Sequence, residues 1–298
     1  MYLKFILNVL LFFLVIYMND LQKCQFEILK EFIRVCEENN LQYYLIGGTC
    51  LGAVRHQGFI PWDDDIDVAL PREDYEKFIK LQSQFPSYYF LQNYKTDPRF
   101  VYNYTKIRDS RTTYIENFFR TVNQNHGVWI DVFPLDGMSY KIKPACKFKG
   151  QVYRIWRNVW LMYPRCLLRK VRVKTFFKDI LCNFVAILFW PSNIFHWRNK
   201  YIDSKIKKIP YKEAALVGNI LGTNPKKEAM DPNIFLEGST LKFEGMDVKV
   251  PKDYDKYLSN LYGDYMKLPP IEKQVGHHHD KGFSLTQNYL DYRKEHKI

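Results

Sequence analysis

Residues 43–70 read YYLIGGTCLGAVRHQGFIPWDDDIDVAL. Tyr43, Tyr44, Leu45 and Ile46 form a short apolar run bounded by Gly47-Gly48, the pattern of a buried strand ending in a tight turn. Thr49 is suited to N-cap a following helical turn. Paired glycines let the backbone approach a ligand closely, and the N–H groups at a helix start bind phosphate. Beyond Pro61-Trp62 come Asp63, Asp64, Asp65 and Asp67, while Ile66, Val68 and Leu70 alternate as in a strand. That alternation predicts Asp65 and Asp67 on one strand face. Asp63 and Asp65 share the same D-x-D spacing, but the later pair lies inside the strand pattern and is preferred. Like charges a few ångströms apart repel unless a cation sits between them, and hard oxygen ligands favour Mg²⁺ or Mn²⁺. An acidic surface turn is the plainer alternative, disfavoured by the crowding of aspartates at the edge of an apolar strand.

A third acid is expected from GVWIDVF, residues 127–133, where Asp131 is a single carboxylate inside an apolar strand. Such a group is costly unless it meets a metal or a donor. Asp136, after Pro134, reads as a turn residue. Arg55 and His56 follow the glycine turn on a predicted helix, and Arg55 suits a bidentate phosphate contact. His56 fits either a phosphate donor or a packing residue. Lys106 and Arg108 alternate with Ile107, so they share a strand face and are expected to meet a nucleotide, with a solvated face as the alternative.

Around these motifs lies a chain of 298 residues, one large domain or two small ones, with 47% apolar and 26% charged residues. That balance excludes disorder, collagen and coiled coil. The net charge of +12 comes from one segment: residues 141–178 hold twelve Lys or Arg and no acid, and the remainder carries 32 basic against 32 acidic side chains. In this segment the charges interleave with Tyr153, Trp156, Trp160 and Tyr163, the composition of a helix lying in a membrane interface. A helical subdomain with a solvated basic face is the alternative. Nucleic-acid binding is disfavoured, because no RNA-binding motif accompanies the charge. The six cysteines form no C-x-x-C pair, which argues against a zinc site or a disulfide framework and for reduced thiols in a cytosolic protein.

Residues 1–18 are almost wholly apolar but too short to span the bilayer core. They read as a short anchor or as a leader upstream of a start at Met18. From Asn19 an amphipathic packing helix is expected, with Leu21, Cys24, Ile28, Leu29, Phe32, Val35 and Cys36 on one stripe, ending at Asn39-Asn40. The expected organisation is therefore an apolar N-terminal segment (1–18), a core (19–140), a basic aromatic insert (141–200) and a C-terminal part that completes the domain (201–298).

GGTCLGAVRHQGFIPWDDDIDV, with DYEKF, YTKIRDSRTTYIE, WIDVFPLDG and the later YDKYLSNLYGDYMKLPP, resembles the LicD family of phosphotransferases in the nucleotidyltransferase superfamily. The resemblance implies an α+β fold, a nucleotidyltransferase-like mixed sheet flanked by helices with a basic helical insert. It implies Gly47, Gly48 and Thr49 on the nucleotide phosphates, and Asp65, Asp67 and Asp131 as the metal ligands and catalytic acids. It further implies transfer of a phospho-alcohol from a CDP-alcohol donor, foremost phosphocholine from CDP-choline, with ribitol or glycerol phosphate as alternatives. The acceptor would be a cell-surface glycan or its lipid-linked precursor, met at an anionic membrane surface on the cytoplasmic face. Nucleotidyl transfer to a small molecule and a membrane-associated scaffold without turnover are the competing readings. In the C-terminal part of the pattern, at least one of His277, His278 and His279 is expected to line the donor or acceptor pocket, against the alternative of a surface turn.

Overall fold

The computed structural model describes residues 18–117, 119, 122–138, 180, 194–220, 222, 225–276 and 280–297. The N-terminal apolar segment before Met18, nearly all of the basic insert and His277–His279 lie outside the described residues.

Helix α1 (Asp20–Glu38) begins where a reciprocal cap sets it: the Asn19 side chain accepts from the Gln22 N–H at 2.9 Å, and the Gln22 side chain accepts from the Asn19 N–H at 3.0 Å. Ile28, Leu29, Phe32, Val35 and Cys36 are buried as the periodicity predicts. Leu21 and Cys24 are only partly buried, and Gln22 and Gln25 take inward positions at that end of the helix. Then follow β1 (Tyr44–Leu45), α2 (Gly47–His56), β2 (Asp67–Pro71) and α3 (Arg72–Phe78). Strands β3 (Tyr89–Gln92), β4 (Thr105–Asp109), β5 (Thr113–Glu116) and β6 (Val128–Met138) complete the first half.

The main sheet has the order β1-β2-β6-β4-β3. Strands β2 and β6 run parallel and the other pairs antiparallel, so the sheet is mixed and the fold is α+β, as expected. From the last residues of the insert onward come α4 (Ile194–Ile206), β7 (Leu216–Gly218), α5 (Pro225–Glu228), the hairpin β8 (Ser239–Phe243) and β9 (Met246–Val250), α6 (Tyr254–Tyr262), β10 (Asp280–Ser284) and α7 (Tyr289–His296). These return to the first half: β7 pairs with the end of β6 and β10 pairs with β5. Among the described residues, no helix is long and apolar enough to cross a membrane.

Strand β6 corrects the expectation of a turn at Asp136. It continues through Pro134 because its partner changes there: β4 pairs with residues 128–132 and β7 with residues 136–138. A residue lacking an N–H is tolerated where a ladder is interrupted. Asp136 is buried and forked by Arg72, whose Nε and Nη2 donate to its two oxygens at 2.6 and 2.8 Å. Arg72 Nη1 also donates to Asp203 of α4 at 3.1 Å. One guanidinium thus ties α3, β6 and α4 together.

Candidate active site

Helix α2 opens with Ile46, not Thr49, as its N-cap, because the helical turn already includes both glycines. Gly47 adopts φ +57°, a left-handed conformation that glycine takes without strain, and its N–H donates to the Tyr257 hydroxyl of α6 at 3.0 Å. The first-turn N–H groups of Gly48 and Thr49 have no acceptor inside the helix. The Thr49 hydroxyl instead accepts from the Asp67 N–H at 2.8 Å, fixing the start of β2 to the first turn of α2.

Acids crowd this helix start. A Cβ on Gly47 would lie 3.2 Å from Asp67 Oδ2, and one on Gly48 would lie 2.8 Å from Asp63 Oδ2. The missing side chains leave the room these carboxylates occupy. Strand β2 begins at Asp67, two residues later than a strand that includes Asp65, so Asp65 lies in the irregular segment before it and not within the strand. Asp63, Asp64 and Asp65 each offer an oxygen within 4.8 Å of the others, and among the described residues this is the trio compact enough to hold a cation. On the parallel neighbour, Asp131 stands in register with Asp67 and donates its N–H to the Ile66 carbonyl at 2.8 Å.

The electrostatics follow from this crowding. Burial, then the charge of Asp65 and a hydrogen bond with it, push the Asp63 carboxyl up to about 8. Asp67 is raised well above the usual carboxylate range by burial, then by Asp65, Asp131, Asp63 and Glu228 of α5. Such groups favour protonation or a bound cation over an array of bare anions. The donor set, hard carboxylate oxygens on one turn and two adjacent strands, fits Mg²⁺ or Mn²⁺.

Lys106 supplies a positive charge beside Asp131. It is buried, with Nζ 3.5 Å from both Asp131 Oδ1 and Glu116 Oε1, and 3.7 Å above the centre of the Trp129 ring. Arg108 shares its face but has no exposed surface, and its guanidinium donates to Gln92 (2.8 Å), the Gly127 carbonyl (2.8 Å) and Glu116 (3.0 Å). It is a tie between strands, which corrects the expectation that it meets a nucleotide, and the alternative of a solvated face fails for both residues. Arg55 sits eight residues beyond Gly47, about 12 Å along the helix axis. Its Nη1 donates to the Tyr265 carbonyl at 2.7 Å, so it braces the chain after α6 and does not stand at the glycine turn. His56 is pushed down to about 4 by burial and by Arg55, and packs edge-on against Trp62 with ring centres 6.3 Å apart.

The structure therefore brings together Gly47, Gly48, Thr49, Asp65, Asp67, Asp131 and Lys106. It adds Asp63 and Asp64, which the strand pattern had set aside, Tyr257, which lies in the later motif but carries no assigned role there, and Glu228, which no motif marks. His277–His279 lie outside the described residues. Gly276, just before them, abuts the acidic turn, since a Cβ there would lie 2.6 Å from Asp64 Oδ2.

A glycine-opened helix facing acids on a mixed sheet is the arrangement of a nucleotidyltransferase-like domain. Residues 40–166 match the family described as LicD/FKTN/FKRP, nucleotidyltransferase domain. The chain is 32% identical over 268 residues to the lipopolysaccharide cholinephosphotransferase LicD of Haemophilus influenzae, covering 87% of this chain and 94% of that one. It is 45% identical over 42 residues to the human ribitol 5-phosphate transferase FKRP, covering 14% of this chain and 8% of that one. The chain belongs to the LicD family and is a phosphotransferase.

Proposed function

We propose that this phosphotransferase moves phosphocholine from CDP-choline to a glycan of lipopolysaccharide or to its lipid-linked precursor, releasing CMP. The observation that carries the reading is the near full-length similarity to the Haemophilus cholinephosphotransferase. In the transfer, the acceptor hydroxyl oxygen bonds to the choline-bearing phosphorus as the bond from that phosphorus to the CMP oxygen breaks. Asp65, Asp67 and Asp131, joined by Asp63 and Asp64, would hold Mg²⁺ or Mn²⁺, which when bound neutralises charge on the pyrophosphate. The free N–H groups of the first turn of α2 hold phosphate oxygens, as helix starts do. Asp131 accepts the proton of the incoming hydroxyl, and Lys106 beside it offsets negative charge developing on phosphate.

Short-range similarity to the ribitol 5-phosphate transferase supports ribitol phosphate as a second donor group. The test is CMP release from CDP-choline, CDP-ribitol and CDP-glycerol in parallel, with and without EDTA and with Asp131→Asn. Release from CDP-choline that needs the divalent ion and fails in the variant is expected. Preferential release from CDP-ribitol would replace phosphocholine as the transferred group, and undiminished turnover by the variant would remove Asp131 from the proton transfer.

The reading extends to the cytoplasmic face of a membrane, where a lipid-linked acceptor would be met, and α4 supports contact with an anionic surface. Trp197 and Tyr201 are exposed one helical turn apart, with Lys200 Nζ 5.5 Å from the first ring and Lys205 Nζ 5.1 Å from the second. Aromatic rings flanked by lysines suit a headgroup layer. Co-sedimentation with vesicles containing an anionic lipid tests this, and a protein that stays in the supernatant at low salt refutes it.

A further inference from the structure

Helix α1 reads as packing, yet two of its buried side chains are amides aimed at the acidic turn. Gln22 and Gln25 are 2% and 1% exposed. Gln22 Nε2 donates to the Asp63 carbonyl at 2.9 Å and lies 3.5 Å from the Ile60 carbonyl. Gln25 Nε2 donates to the Asp64 carbonyl at 2.9 Å and to the Trp129 carbonyl of β6 at 3.3 Å. The two residues stand three apart on one helical stripe, so adjacent carbonyls of the turn are each held by one amide.

The arrangement is made at a loss elsewhere. Among the described residues, Gln25 Oε1 is buried without a hydrogen-bond partner. An apolar residue would fill that position on α1 with no such orphan, so burial alone does not account for a glutamine. What the amide supplies is a donor that joins the turn to β6, and β6 carries Asp131. Both aspartates whose carbonyls are held carry carboxylates within 4.8 Å of one another and of Asp65. Mutual repulsion pushes such a turn open when the charges are bare, and a backbone anchored on each residue resists that opening.

We infer that Gln22 and Gln25 are positioning residues, which hold the backbone of the Asp63–Asp65 turn in the form that accepts a divalent cation. The inference rests on the metal-dependent reading above. Outer hydrogen bonds that orient metal ligands typically change affinity by about 10–100-fold when lost. Gln25→Leu removes the donor and keeps the bulk. Gln22→Glu keeps the oxygen that caps Asn19 and removes the donor to Asp63, so it separates the clamp from the helix cap.

The experiment is a thermal-melt titration of the whole chain with Mn²⁺ alone, on wild type, Gln25→Leu, Gln22→Glu, Asp65→Asn and Ile33→Ala. The last is a stability control, because Ile33 is buried on the same helix away from the turn. Wild type is expected to gain melting temperature with Mn²⁺. Each glutamine variant that folds should need at least about tenfold more Mn²⁺ for half of that gain, while Ile33→Ala keeps the wild-type midpoint despite a lower starting temperature. Glutamine variants with midpoints within about twofold of wild type would overturn the clamp and leave the metal site standing. Wild type and Asp65→Asn responding alike would overturn the metal site, and the clamp with it.

Discussion

Gly48→Ala separates the fold from the chemistry. The added Cβ would lie 2.8 Å from Asp63 Oδ2, closer than such contacts stand, while the Cγ and Oδ1 of Asp63 are 3.7 and 3.9 Å away. Only the tip of one side chain is in the way, so the carboxylate can swing aside without moving backbone. Gly48 does not have a positive φ, and alanine favours a helix over glycine by about 1 kcal/mol. The stability change is therefore expected to be within about 1 kcal/mol in either direction. The functional change is much larger, because Asp63 leaves its place beside Asp65 and the start of α2. Displacements of about 1 Å at a reacting centre cost on the order of a hundredfold in rate. The assay is a circular-dichroism melt alongside metal-dependent CMP release from CDP-choline. A melt shifted by only a few degrees with turnover down about a hundredfold is the expected pair. Turnover within about twofold of wild type would refute the packing of Asp63 against the helix start as a requirement of the site.

Arg72→Met should destabilise the chain by about 3–5 kcal/mol in urea unfolding, because it strips the buried Asp136 of its guanidinium and leaves Asp203 with Lys207 alone as its cation. A loss below about 1 kcal/mol would show that water reaches Asp136. Lys106→Met should lower the melting temperature, because the buried Asp131 loses the ammonium 3.5 Å away while Glu116 keeps Arg108, and should lower turnover per folded molecule by about a hundredfold; unchanged turnover of the folded variant would remove it from phosphate binding. His126 is fully buried and its pKa is pushed down to about 4, chiefly by burial, from an ordinary value of about 6.5. The unfolded chain binds the proton first, so its contribution is complete above about pH 6.5 and is lost as pH falls toward 4, by up to about 3 kcal/mol. His126→Gln should flatten the slope of stability against pH in that window, and an unchanged slope would contradict the assignment.

Much of this architecture is legible from local pattern. The helix from Asn19, the glycine turn and the apolar strand carrying Asp131 follow from periodicity and capping, which act within a few residues. What the pattern leaves open is set by partners far along the chain. The alternation of Ile66, Val68 and Leu70 fixes which side chains share a face but not where the ladder starts, and that decides whether Asp65 or Asp63 stands nearest the helix. TKIRD looks like a half-solvated strand, yet Glu116, Gln92 and Trp129 bury both of its cations. Asp136 follows a proline and resembles a turn, because neither Arg72 nor the change of partner strand is visible locally. Gln22 and Gln25 sit on the apolar stripe and would read as imperfections of it, since the carbonyls they hold are about 40 or more residues away.

The bonds from Gly47 to Tyr257 and from Arg55 to Tyr265 each span 210 residues. Loop closure of that length comes late and slowly in folding, after the local helices and hairpins. During synthesis at about 5–20 residues per second, the glycine turn therefore emerges some ten seconds or more before the helix that completes it. A nascent chain has the acids but not the Tyr257 hydroxyl that the Gly47 N–H meets. Competence arrives in one late step, so a ribosome-bound fragment holding the whole acidic motif is expected to leave the activated donor intact.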